Sequence, residues 1–109
     1  VIAVFLFRGS AGEVVGFTVS NHGESQVCAA VSMLVINTVN SIETLTAAGA
    51  AGFNCEHEEE GYLSFNLKES PRSKDAGLLI DAMVLGLQCV KEQYPSQIEI
   101  IENGTGVSL

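Results

Sequence analysis

Three observations predict an α+β fold, a mixed sheet with two helices packed on it. Short runs of β-branched and aromatic residues occur in pairs around Gly-containing turns, the pattern of β-hairpins. Two longer segments carry apolar residues at spacings of three and four, the pattern of helices with a buried face. The segments follow one another as β-β-α-β-β-α-β. A hairpin, a helix, a hairpin and another helix in succession imply helices laid against one mixed sheet. The 109 residues are the length of one domain, so a single domain is expected over residues 1–109.

Val1 to Phe7 is rich in β-branched and aromatic residues and reads as the first strand. Arg8-Gly9-Ser10-Ala11-Gly12 is a turn. Glu13 to Ser20 is the second strand, in which Val15, Phe17 and Val19 alternate with Gly16, Thr18 and Ser20. A long helix is expected over Gln26 to Ala48, with Val27, Val31, Leu34, Val35, Thr38, Ile42 and Leu45 on its apolar face. Only Ser32 interrupts the apolar run from Val31 to Ile36, which predicts a helix buried on more than one side. Gly49-Ala50-Ala51-Gly52 ends it. Phe53 to Glu58 and Tyr62 to Lys68 form the second hairpin around Glu59-Glu60-Gly61, with Leu63, Phe65 and Leu67 in phase. Ser70-Pro71-Arg72-Ser73 leads into a second helix over Lys74 to Tyr94. Leu79, Ile80, Met83, Leu87 and Val90 mark its core stripe, and Cys89 beside them reads as core. Pro95 stops it. Gln97 to Glu102 is a last short strand, and Asn103-Gly104-Thr105-Gly106 turns into a tail expected to fray.

The charge balance narrows the function. Five Lys and Arg against 13 Asp and Glu give a net charge of −8. A basic footprint for nucleic-acid phosphates is missing, and so is a polybasic membrane-surface helix. With 47% hydrophobic and 17% charged residues, the chain is too apolar for a disordered acidic tail. No run of about 18 apolar residues passes without a polar interruption, so no membrane span is expected. Val1 to Phe7 lacks the basic flank and small-residue cleavage site of a signal peptide. Cys28, Cys55 and Cys89 are odd in number and lack small-scaffold spacing. That argues against a disulfide framework and for a reducing, cytosolic compartment.

The chemistry concentrates in Ser20-Asn21-His22-Gly23-Glu24-Ser25-Gln26-Val27-Cys28-Ala29-Ala30-Val31-Ser32. A histidine stands at the end of a strand, and a cysteine in the first turn of a long helix. Unpaired amides and the positive end of the helix dipole both favour a thiolate there. The same amides can hold the oxyanion of an acyl intermediate. An imidazole close by can take the thiol proton and return it to the leaving amine. Ala29 and Ala30 are small enough for a peptide to approach. Ser32, one turn after Cys28, can hydrogen-bond Cys28 or a neighbouring loop group. From spacing alone two other readings stand beside these, a buried structural cysteine and a strand-end histidine with no chemical role.

The run Cys28-Ala29-Ala30-Val31-Ser32, with a Ser-x-His pair upstream at Ser20 and His22 and Val39-Asn40-Ser41-Ile42-Glu43 downstream, resembles the ribosomal-processing cysteine protease family, Prp. The likeness extends to Gly61-Tyr62-Leu63 and to the helix end at Glu92-Gln93-Tyr94, nearly the whole chain. It implies a cysteine endopeptidase that removes a short N-terminal extension from ribosomal protein number twenty-seven of the large subunit. It also implies a Cys–His pair, with Cys28 as nucleophile and His22 as base, and a homodimer. Three features depart from the family pattern. Asn21-His22-Gly23 stands where Gly-His-Ala is usual. Only five residues separate His22 from Cys28, where the family has a longer Gly-rich loop, and Ser25 occupies the place of an acidic residue. The shorter connection reads as the omission of a mobile active-site loop, with a true shortening as the alternative.

Other groupings weigh less. Cys55 and His57 point to one side of a strand and amount to half a metal site, but no second pair stands at zinc spacing, so no metal site is assigned. Glu56, Glu58, Glu59 and Glu60 read as a solvated hairpin tip, or as a docking point for a basic partner. Gly9, Gly12 and Gly16 lack the Lys-Ser or Lys-Thr of a phosphate loop. The expectation is therefore a cytoplasmic thiol protease, without metal or cofactor, acting on a ribosomal protein precursor. Its site residues are His22 and Cys28, with Ser32 in support, and it contacts neither nucleic acid nor membrane. The alternative is a non-catalytic, acidic, dimeric module that binds basic ribosomal proteins.

Overall fold

The computed structural model describes residues 1–21, 23–46, 50–56, 62–67 and 73–103, with the backbone alone at 50–56, 62 and 103. The elements are β1 (Ile2–Arg8), β2 (Val14–Ser20), α1 (Ser25–Leu45), β3 (Ala50–Glu56), β4 (Tyr62–Leu67), α2 (Lys74–Gln93) and β5 (Ile98–Asn103). The strands form one sheet in the order β3-β4-β2-β1-β5. β1 pairs antiparallel with β2, as do β2 with β4 and β3 with β4, while β1 and β5 run parallel. The sheet is thus mixed and the class α+β.

The period of two decides which side chains are inside. Register places Leu6 opposite Phe17 and Phe17 opposite Phe65, and Val4 opposite Val19 and Val19 opposite Leu63. All six are buried, together with Ile2 and Ile98, which face each other across the parallel pair. The rings of Phe17 and Phe65 stack with centroids 5.3 Å apart. Both helices cover this face. α1 lays down Val27, Val31, Val35, Val39 and Ile42, and α2 lays down Ala76, Ile80, Met83 and Leu87, in one continuous core. The opposite face carries half-buried Phe5, Thr18 and Ser64. α1 has 21 residues and the length and apolarity of a membrane-crossing helix; it buries one stripe in this core, packed beside α2, and leaves Met33, Ile36 and Leu45 exposed.

The structure corrects the sequence reading in four places. A β-bulge between Phe7 and Arg8 sets Arg8 opposite Val14 and Phe7 opposite Gly16. The extra residue inverts the alternation, so Val14 turns inward and Val15 is only half-buried. α1 stops at Leu45 rather than Ala48, because the backbone turns extended at Thr46 (φ −125°, ψ 167°), whose amide makes the last bond to the Ile42 carbonyl at 3.3 Å. Leu45, expected in the core, is 72% exposed. Cys89, also expected in the core, is exposed, because two residues past Leu87 a helix faces nearly the other way. The expected turn at Glu59-Glu60-Gly61, the residues Ser70, Pro71 and Arg72, and the tail after Asn103 lie outside the described residues.

Truncating a buried ring leaves a cavity as well as losing transfer energy. Phe65→Ala is expected to cost about 3–5 kcal/mol. Leu78→Ala, at an exposed position on α2, should stay within about 0.5 kcal/mol. Urea denaturation of both variants checks the contrast.

Candidate active site

β2 delivers the chain to the candidate site. Its last residue, Ser20, is followed by Asn21, which has φ +73°. Asparagine and glycine are the residues that enter the left-handed region most readily. Asparagine therefore fits where the family resemblance implies glycine. His22 lies outside the described residues. Gly23 and Glu24 then lead into α1.

Cys28 is the fourth residue of α1, and helical side chains lean toward the helix N-terminus. Its sulfur reaches back over the first turn to Gly23. The Gly23 N–H donates to Sγ at 3.2 Å, and Sγ lies 3.5 Å from the Gly23 carbonyl oxygen. The thiol is half-buried and packs on the core beneath it. Around it Glu24, Ser25, Gln26 and Ala29 are exposed, and Ala30 is half-buried. The thiol is thus anchored at Gly23, in a turn whose neighbouring residues are small or polar and largely exposed.

The two helix starts differ in a way that suits different jobs. Ser73 caps α2 by accepting from the Ala76 amide at 3.3 Å, with Asp75 in the first turn. Glu24, at the cap of α1, makes no side-chain capping bond, and no acid stands in that first turn. The amides of Val27 and Cys28 both donate to the Glu24 carbonyl, at 3.0 and 2.9 Å. The amides of Ser25 and Gln26 come before them, at the positive end of α1.

Ser32, one turn beyond Cys28, is exposed and lines a shallow groove with Met33, Ile36, Asn37 and Asn40. Cys89 is on the outer surface of α2, away from this cluster. Cys55 and Glu56 are described by backbone alone, on β3, and His57 and Glu58 to Glu60 lie outside the described residues. Among the described residues no three His, Cys, Asp or Glu side chains are grouped to hold a metal. An open depression of about 560 Å³ at the start of α2, lined by Ser73, Lys74, Asp75, Gly77, Leu78 and Asp81, involves none of the residues around Cys28. The sequence reading missed Gln97, whose side-chain oxygen accepts from the Glu24 amide at 2.9 Å. The two residues are 73 apart in sequence, and no local pattern announces their contact.

Residues 1–99 match the family model for the cysteine protease Prp. A ribosomal processing cysteine protease Prp from Bacillus subtilis (strain 168) is 31% identical over 87 residues, covering 77% of this chain and 76% of the relative. Two crystal structures of an essential ribosomal processing protease Prp from S. aureus share the fold, with TM-scores of 0.87 and 0.85. Each is 23% identical and covers 94% of this chain and all of its own. One holds a covalently linked product peptide and the other a substrate peptide.

The positive φ at residue 21 is testable. Asn21→Gly should leave stability within about 0.5 kcal/mol. Asn21→Val should lose about 1–2 kcal/mol, the cost of holding a β-branched residue in the left-handed region. Thermal or urea unfolding reads both.

Proposed function

Because the chain belongs to the cysteine protease Prp family, we propose that it is a ribosomal-processing endopeptidase in which Cys28 is the nucleophile and His22 the general base. The observation that carries this reading is the position of Cys28: a half-buried thiol in the first turn of a long helix, bonded by the Gly23 amide.

The reaction follows from ordinary thiol chemistry. His22 takes the Sγ proton, and the thiolate attacks the scissile carbonyl carbon. The amides of Ser25 and Gln26 hold the resulting oxyanion. The C–N bond breaks as the imidazolium returns its proton to the departing amine, leaving a thioester on Cys28. Water, deprotonated by His22, hydrolyses the thioester and restores the thiol. No metal or cofactor enters these steps.

The substrate proposed is the N-terminal extension of large-subunit ribosomal protein number twenty-seven. The net charge of −8 suits a basic ribosomal protein met before it joins RNA. The enzyme is proposed to act in the cytoplasm, as a homodimer. The S. aureus relative seen with a substrate peptide supports peptide recognition on this fold.

A peptide spanning the extension and its cleavage site tests the reading. Cys28→Ala should abolish cleavage, and His22→Ala should lower it by about 10²–10⁴-fold. Undiminished cleavage by Cys28→Ala would remove the assignment. Binding of the precursor without cleavage by the wild type would favour a non-catalytic module instead. Iodoacetamide gives a substrate-independent check. Near neutral pH Cys28 should alkylate faster than Cys89, although Cys89 is the more exposed thiol.

A further inference from the structure

We propose that Gln97 is a positioning residue for the Cys28 thiol, acting through the Gly23–Glu24 segment. The inference rests on Cys28 being the reactive group. The first link is direct: Gln97 Oε1 accepts from the Glu24 amide at 2.9 Å, at the residue where α1 begins. The second is steric. A methyl group on Gly23 would stand 2.8 Å from Gln97 Oε1 and 3.4 Å from the Gln97 carbonyl oxygen, so the amide of Gln97 fills the space a side chain at residue 23 would need. The third link is Gly23 itself, whose N–H donates to Cys28 Sγ at 3.2 Å. The amide side chain of Gln97 therefore supports one face of the segment, and the thiol is bonded to it on the other.

Gln97 is well held for this role. Its N–H donates to the Tyr94 carbonyl at 2.9 Å, and its carbonyl accepts from the Ile2 amide at 2.9 Å. Lys91 Nζ bonds the carbonyls of Pro95 and Ile98 on either side of it, at 3.4 and 3.0 Å. The backbone of residue 97 is thus tied to α2, to β1 and to its own turn. A support of this kind matters because small misplacements of a reacting atom cost rate steeply. A methyl at residue 23 would have to push the Gln97 amide aside, while its other neighbours, the Gln97 carbonyl oxygen and Ile2 Cδ1 at 3.4 Å, are at ordinary contact distance.

The test uses Gln97→Met, which keeps the length of the side chain and loses the acceptor, the single variants Gln97→Ala and Gly23→Ala, and the double variant Gly23→Ala/Gln97→Ala. With the precursor peptide, Gln97→Met should lower kcat about 10- to 100-fold while KM moves less than about threefold. Gly23→Ala should do the same, because its methyl displaces the Gln97 amide. The double variant should be no worse than Gln97→Ala alone, since both changes remove one contact. Alkylation of Cys28 at neutral pH, read by peptide mass spectrometry without any substrate, should slow in each variant. This second readout separates the positioning role from the proteolytic assignment, because it survives even if the peptide is not cleaved. Wild-type kcat and wild-type Cys28 alkylation in Gln97→Met would overturn the proposal. So would independent, multiplicative effects of Gly23→Ala and Gln97→Ala. A lowered melting temperature with unchanged Cys28 alkylation would reduce Gln97 to a purely structural residue and would also overturn it.

Discussion

The parallel pairing of β5 with β1 is the interaction on which the rest depends. Ile2 faces Ile98 at its start, the Ile2 amide bonds the Gln97 carbonyl, and Arg8 pairs with Glu102 at the far end. Parallel strands need a crossover, and here the crossover spans nearly the whole chain. Closing it makes β1 an interior strand with a neighbour on each side. It also brings the turn after α2 beside the loop that follows β2. Without that closure Ile2 and Ile98 would lose their shared burial, and the Cys28 loop would lose its backing.

Much of this architecture is legible in the sequence, because alternation and helical spacing are local signals. The two hairpins, the helices and the final strand each lie within a few residues of their expected limits. The failures have physical causes. The inward turn of Val14 depends on a bulge, which adds one residue and reverses parity without any compositional mark. Leu45 continues the helical spacing of its neighbours, but the backbone turns extended at Thr46 and leaves Leu45 at the helix end with no core to meet. Cys89 resembles a core residue in type, while its angular position on α2 faces outward.

The site divides along the same line. A cysteine at a helix start after a strand-end histidine is a local pattern, and it is readable because dipole, amide and thiol chemistry act within one turn. The bond between Gln97 and Glu24 is not local, and neither is the space that Gln97 denies to residue 23. Asn21 is an intermediate case. Its departure from glycine looks like a defect in a motif until its backbone angle shows the conformation the two residues share. The contrast between a capped α2 and an uncapped α1 likewise becomes meaningful only when the thiol is seen beside the uncapped end.

The closure of β5 on β1 also has a consequence in time. β2, α1 and the thiol are all made early, from the first half of the chain. The residue that backs the loop is 73 positions beyond Glu24. The contacts that complete this end of the fold therefore wait on the last strand to be made. Long-range pairings of this sort form late, after local structure is in place. The Gly23–Glu24 segment therefore gains its backing only once residue 97 has been made and docked.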